Sequence, residues 1–125
     1  MTRGILGLVA GAAVTIVSVA AVPGSEARGQ EAFDKRCTGC HAMDRIKVGP
    51  PLGGVYGRRA GRNAQFPYSE ALRNANVTWD AATLERWLED TDSVVPGNEM
   101  AFRLQNPEER RAIVKYLEQA ATQTH

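Results

Sequence analysis

Cys37-Thr38-Gly39-Cys40-His41 is the stretch on which the reading of this chain turns. Two cysteines with two residues between them, followed at once by a histidine, form the pattern of covalent haem attachment. The chemistry requires that spacing. Thiols at i and i+3 on a helix end face the same way and can reach the vinyl groups on neighbouring haem edges. The next residue, the histidine, is then carried under the iron. A disulfide between the same cysteines would close a very small loop and constrain the unfolded chain little. A thioredoxin-like redox pair needs a preceding strand and a βαβ setting, and neither is visible in the sequence. A zinc site needs four ligands. Cys37, Cys40, His41 and His125 supply that number on paper, but His125 is the last residue, where chains fray.

Upstream of the motif, Gly29 to Cys40 reads as a first helix, with Phe33 and Cys37 on one face. Before it lies a leader. Arg3 gives a short positive start, and Gly4 to Val22 carries no charge and is almost wholly apolar. Pro23-Gly24-Ser25 breaks that run, and Ser25-Glu26-Ala27 fits a small-x-small cleavage site. This is the layout of a secretory signal peptide. Residues 1–27 are accordingly read as the signal peptide and 28–125 as the domain, in an exported, periplasmic protein. An uncleaved membrane anchor is the competing reading, because a bilayer needs roughly 20 apolar residues. The domain begins so soon after the apolar run that almost no tether remains, which favours cleavage and no stable membrane insertion. The net charge of +1 indicates neither a nucleic-acid binder nor a polyanionic tail.

Downstream, Asp44 to Gly61 is rich in glycine and proline and reads as a long loop. Tyr68 to Arg73 is a short helix candidate. Asp80 to Asp90 is a better one, with Leu84, Trp87 and Leu88 on a stripe. Val94 to Leu104, broken by Pro96-Gly97, is a second loop. The last helix carries the clearest signals: Asn106 as N-cap, Pro107 at the first helical position, Glu108 and Glu109 in the first turn. Its apolar stripe is Ile113, Tyr116, Leu117 and Ala120. The expectation is a small all-α domain with two long loops. Loops that long in so short a chain need a functional reason, and a cofactor lying between them supplies one.

Haem iron has two axial positions, and His41 takes one. Met43, Met100 and His125 are the candidates for the other. Met43 is too close to His41 in sequence to reach the far haem face. Met100 lies in Pro96-Gly97-Asn98-Glu99-Met100, a turn-rich loop that can close over the cofactor. A plain core methionine is the alternative for a lone Met. The upstream motif and the surrounding turn favour the ligand.

The motifs Cys37–His41, Gly49-Pro50-Pro51-Leu52, Tyr56-Gly57-Arg58, Trp79, Pro96–Met100 and Lys115-Tyr116-Leu117 follow one another in order. With them the chain from Gly29 to about Ala120 resembles the class I cytochromes c of the bacterial periplasmic and mitochondrial kind. The resemblance implies about four to five helices wrapped around one haem c, attached through Cys37 and Cys40, with iron held by His41 and Met100. It implies that Pro50 offers its carbonyl to the free ring N–H of His41. It implies that Arg58, Tyr68, Trp79 and Asn98 bond the haem propionates, that Phe102 shields the haem edge, and that Gly29 and Phe33 pack on Ile113, Tyr116 and Leu117. From the residues alone, the favoured readings are that Trp79 and Tyr68 are ordinary core aromatics and Arg58 a solvated surface charge.

The implied function is one-electron transfer by a monomeric carrier that is not an enzyme. Its partners would be redox proteins: a membrane oxidoreductase complex, an oxidase or a periplasmic dehydrogenase. An electron-accepting subunit of a larger oxidoreductase, and a gas-binding or peroxidase-like haem protein, are the alternatives. Three departures from the family pattern stand out. The segment from His41 to Pro50 is short. Trp87 stands where a tyrosine is usual, and its indole donates but does not accept. Glu99 replaces a frequent lysine, and the lysine-rich rim of the mitochondrial proteins is largely missing: Lys35, Lys47 and Lys115 are the only lysines.

Overall fold

The computed structural model describes residues 24–123, together with Met1, Val14, Ile16 and Ser18. Most of the leader, and His125 as a candidate ligand, lie outside the described residues. Among the described residues five helices follow in order: α1 (Ser25–Arg36), α2 (Glu70–Asn74), α3 (Ala81–Glu89), α4 (Thr91–Val94) and α5 (Pro107–Thr122). Among the described residues the only sheet-like pairing is an isolated antiparallel bridge between Arg59 and Thr78. The architecture is all-α, as expected.

The first helix runs from Ser25 to Arg36 rather than from Gly29 to Cys40. It stops early because the motif itself is a turn. The Cys40 and His41 amides both donate to the Cys37 carbonyl, at 3.1 and 2.9 Å, and Gly39 is costly inside a helix. At the third helix the two aspartates of the expected span are its caps. Asp80 and Thr83 form a reciprocal capping box, so hydrogen bonds from Thr83 hold the Asp80 carboxyl below its ordinary range. Asp90 closes α3 and also opens α4, accepting from the Asp92 amide. This four-residue helix sits at the edge of what the sequence suggested was loop. Its length leaves no room for apolar periodicity to announce it. The short second helix starts at Glu70, because Ser69 is its cap and accepts from the Leu72 amide. The last helix begins as expected: Asn106 Oδ1 accepts from the amides of Glu108 and Glu109, with Pro107 first.

α5 is the element around which the others are organised. α1 crosses it at Gly29, where a Cβ would sit 2.6 Å from the Ala112 carbonyl oxygen and 2.9 Å from Tyr116 Cβ. The absent side chain is therefore what allows the approach. One turn on, Phe33 meets the Tyr116 ring at 5.2 Å. Arg36 then clasps Glu109 through two bonds, 2.6 and 3.1 Å long. α3 packs on α5 as well, and Leu84, Trp87, Leu88, Ile113, Val114 and Leu117 belong to one buried cluster. Each large aliphatic residue so buried contributes about 1.5–3 kcal/mol. The two long loops lie against this frame of three helices.

Candidate functional site

His41 follows directly on the turn that ends α1 and is 8% exposed. Its loop is stitched to itself by backbone bonds: Gly49 N–H to Cys40 O at 2.8 Å, Leu52 N–H to Ala42 O at 2.9 Å and Gly53 N–H to Met43 O at 2.9 Å. Lys47 Nζ adds a bond to the Thr38 carbonyl. Within this stitched loop His41 Nδ1 lies 2.8 Å from Pro50 O. A carbonyl oxygen only accepts, so Nδ1 carries the proton and Nε2 is left with a free lone pair, the form a metal ligand needs. Gly49 makes room for the ring. A Cβ there would lie 2.7 Å from His41 Nδ1 and 2.9 Å from Nε2. Of the two thiols, Cys40 is exposed and Cys37 is buried. Burial, aided by Asp34, pushes the Cys37 thiol up to about 11.

Met100 is held differently. Asn98 folds its side chain back over the loop. Its amide nitrogen donates to Val95 O at 2.9 Å and Asp92 Oδ1 at 3.1 Å. Its oxygen accepts from the Met100 and Ala101 amides at 3.0 and 3.1 Å. Ala101 stands at φ 46°, the only non-glycine residue with positive φ among those described, a conformation costing an L-residue about 1–2 kcal/mol. Beyond it the Phe102 amide donates to Thr91 Oγ1 at 3.0 Å. The Leu104 amide donates to Leu88 O at 2.8 Å. Arg110, buried in α5, donates from Nη1 to the carbonyls of Leu104 and Gln105.

These two loops and the helices enclose a cavity of about 310 Å³. Cys37, Cys40, His41 and Met100 all line it, whereas Met43 does not. Among the described residues no three His, Cys, Asp or Glu side chains gather to hold a bare metal ion. The rest of the wall is largely aliphatic and aromatic, with three arginines, Arg36, Arg58 and Arg59, against one acid, Glu99. That combination fits a large apolar ring bearing two carboxylates.

Arg58, Tyr68 and Trp79 line the cavity, as expected. Arg58 is held by bonds to the carbonyls of Gly53 (2.8 Å) and Gly54 (3.3 Å). Tyr68 Oη accepts from the Asn63 amide. Trp79 is buried and packs against Trp87, ring centres 5.1 Å apart. Phe102 also lines the wall. Asn98 does not line it, and its side chain is engaged with its own loop and with Asp92 of α4. Gly49, Thr91 and Arg110 are contributors that sequence reasoning had not assigned. Gly49 was legible as part of a glycine–proline run, but nothing marked the other two.

Comparison with known proteins bears on this geometry. The family model described as Cytochrome c matches residues 26–121. The chain is 43% identical to cytochrome c of Chlamydomonas reinhardtii over 101 residues, 78% of this chain and 90% of that one. It is 38% identical to cytochrome c2 of Rhodomicrobium vannielii over 111 residues, 86% of this chain and 88% of that one. Among solved structures it resembles cytochrome cH from Methylobacterium extorquens, with a TM-score of 0.72, 38% identity, and coverage of 77% of this chain and 99% of that one.

Proposed function

The chain belongs to the cytochrome c family, and from that premise we propose that its haem iron is held by His41 and Met100 and that it shuttles single electrons between redox proteins of the periplasm. The family makes it an electron carrier rather than an enzyme, with haem c attached covalently through Cys37 and Cys40. The observation that carries the ligation is that one cavity is lined by both cysteines, by His41 with its Nδ1–H bonded to Pro50 O, and by Met100. When bound, the group supplies an iron centre that cycles between ferrous and ferric. The chain's own residues do the remainder. Pro50 fixes the imidazole tautomer and orientation. A Met/His pair raises the potential, and the apolar wall tunes it further. Arg58, Tyr68 and Trp79, which line the same cavity, would donate to the carboxylates of the group.

The partners of this reading are a membrane oxidoreductase complex, an oxidase or a periplasmic dehydrogenase. The leader over residues 1–27 would deliver the chain across the membrane. Among the described residues no helix is long and apolar enough to span a bilayer.

The test uses protein matured in an exporting host. Its intact mass should exceed the processed chain by one haem, and the added mass should survive acid-acetone extraction. The reduced protein should show ring-current-shifted methionine methyl resonances and bind no carbon monoxide at neutral pH. Met100→Ala should lose those resonances, bind carbon monoxide and have a lower potential, within the ~0.8 V range that axial ligands span. An unchanged spectrum and potential in Met100→Ala would mean that another group holds the iron.

A further inference from the structure

We propose that Thr91 is the positioning residue that keeps Met100 on the iron, its hydroxyl latching the Met100 loop to the start of α4. This rests on the ligation proposed above. Thr91 is 1% exposed, and with Ile113 it is one of the two largest fully buried side chains among the described residues. A hydroxyl that deep must find partners, and it finds them in one place. Oγ1 accepts from the Phe102 amide at 3.0 Å and lies 3.3 Å from the Phe102 carbonyl, to which it can donate. The Thr91 amide donates to that same carbonyl at 3.2 Å. A single residue thus satisfies both backbone groups of Phe102. The next anchor along the loop is Leu104 N–H on Leu88 O.

The position of this latch gives it its consequence. Between the latch at Phe102 and Met100 lies only Ala101, in the left-handed conformation at φ 46°. On the other side Asn98 Oδ1 holds the Met100 and Ala101 amides. Asn98 belongs to the loop and reaches α4 through its side-chain bond to Asp92 Oδ1. Thr91 belongs to α4 and holds the backbone on the other side of Met100. The strained Ala101 favours release, and Thr91 opposes it from α4. Losing the Thr91 hydroxyl leaves the Phe102 amide without its acceptor, and the balance shifts toward an open state in which Met100 has left the cavity.

Thr91→Val keeps the branched shape and removes the acceptor, whereas Thr91→Ser keeps the acceptor. With haem-loaded ferric protein, the rate of imidazole entry at the iron should rise about tenfold in Thr91→Val, the factor one lost buried hydrogen bond carries. Thr91→Ser should stay close to wild type. Gly29→Ala, which disturbs the α1–α5 crossing at Ala112 and Tyr116 and removes no hydrogen bond of the loop, controls for general destabilisation. It should lower the denaturation midpoint without speeding entry. Wild-type entry rates in Thr91→Val, or an equal rise in Thr91→Ser or Gly29→Ala, would overturn the proposal. Hydrogen exchange of the Phe102 amide gives a second readout that does not depend on ligation, with about tenfold less protection expected in Thr91→Val. If the wild type itself lacks shifted methionine resonances, the ligation fails. The exchange result then still decides whether Thr91 latches the loop.

Discussion

His41 and Met100 line the same cavity from backbones held by opposite means. The His41 wall closes on itself. Every backbone bond that shapes it, from Cys37–His41 to Met43–Gly53, joins residues within one short stretch. The Met100 wall is hung from elsewhere. Its loop is fastened to Leu88 at the end of α3, to Thr91 in α4 and to Arg110 in α5, and it carries a left-handed alanine beside the ligand. A locally closed loop pays little closure entropy for each bond it makes. A wall fastened at separate elements depends on all of them being in place, so it is the one expected to open first. Under the proposed ligation, an axial pair built this way would have one ligand held firmly and one able to leave.

The largest expected effect tests what both walls share. Cys37→Ala with Cys40→Ala should abolish covalent haem. Without the covalently held ring the apolar wall of the cavity loses its packing partner, and the chain should lose its cooperative unfolding transition by circular dichroism. A haem-free protein that melts sharply would show that the frame of α1, α3 and α5 folds alone and that the walls merely decorate it.

A smaller effect is expected at the His41 wall. Gly49→Ala drives a Cβ into the imidazole and should destabilise the haem-loaded protein by about 1–3 kcal/mol in denaturant titration. The Met100 resonances should persist in the folded fraction. If instead Met100 is released while global stability holds, the two walls are coupled and the contrast between them is false.

The smallest effect concerns the strap behind the His41 wall. The bond from Arg36 holds the Glu109 carboxyl below its ordinary value. A depressed folded-state pKa contributes stability that is present above the unfolded value of a glutamate and is lost as pH falls through the folded one. Melting temperature in the wild type should therefore decline through the acid range more than in Glu109→Gln, whose curve lacks this component. The difference should shrink in high salt, since the pair is solvent-exposed. Parallel curves would show that the strap contributes nothing to holding α1 on α5.

Much of this was legible before any coordinates. Asn106-Pro107 placed the start of α5 because a cap and an N1 proline act through their own neighbours. Leu84, Trp87 and Leu88 located α3 because a buried stripe has a fixed period. The turn at Cys37–His41 was misjudged as helix by four residues because periodicity does not register where hydrogen bonding changes. Asn98 was expected among the propionate donors, and the structure places its side chain inside the loop instead. A side chain with donors and acceptors suits either place, and its type alone does not choose.

The sequence by itself determined the cofactor chemistry, the helices α3 and α5 and the residues of the His41 wall, because each depends on groups a few residues apart whose geometry the covalent chain nearly dictates. Only the tertiary structure decided how Met100 is held. Thr91, Arg110 and the left-handed Ala101 acquire their roles from elements that meet across the fold. A buried threonine is written in the sequence like an exposed one, and what distinguishes them is the partner that folding brings within 3.0 Å of the hydroxyl.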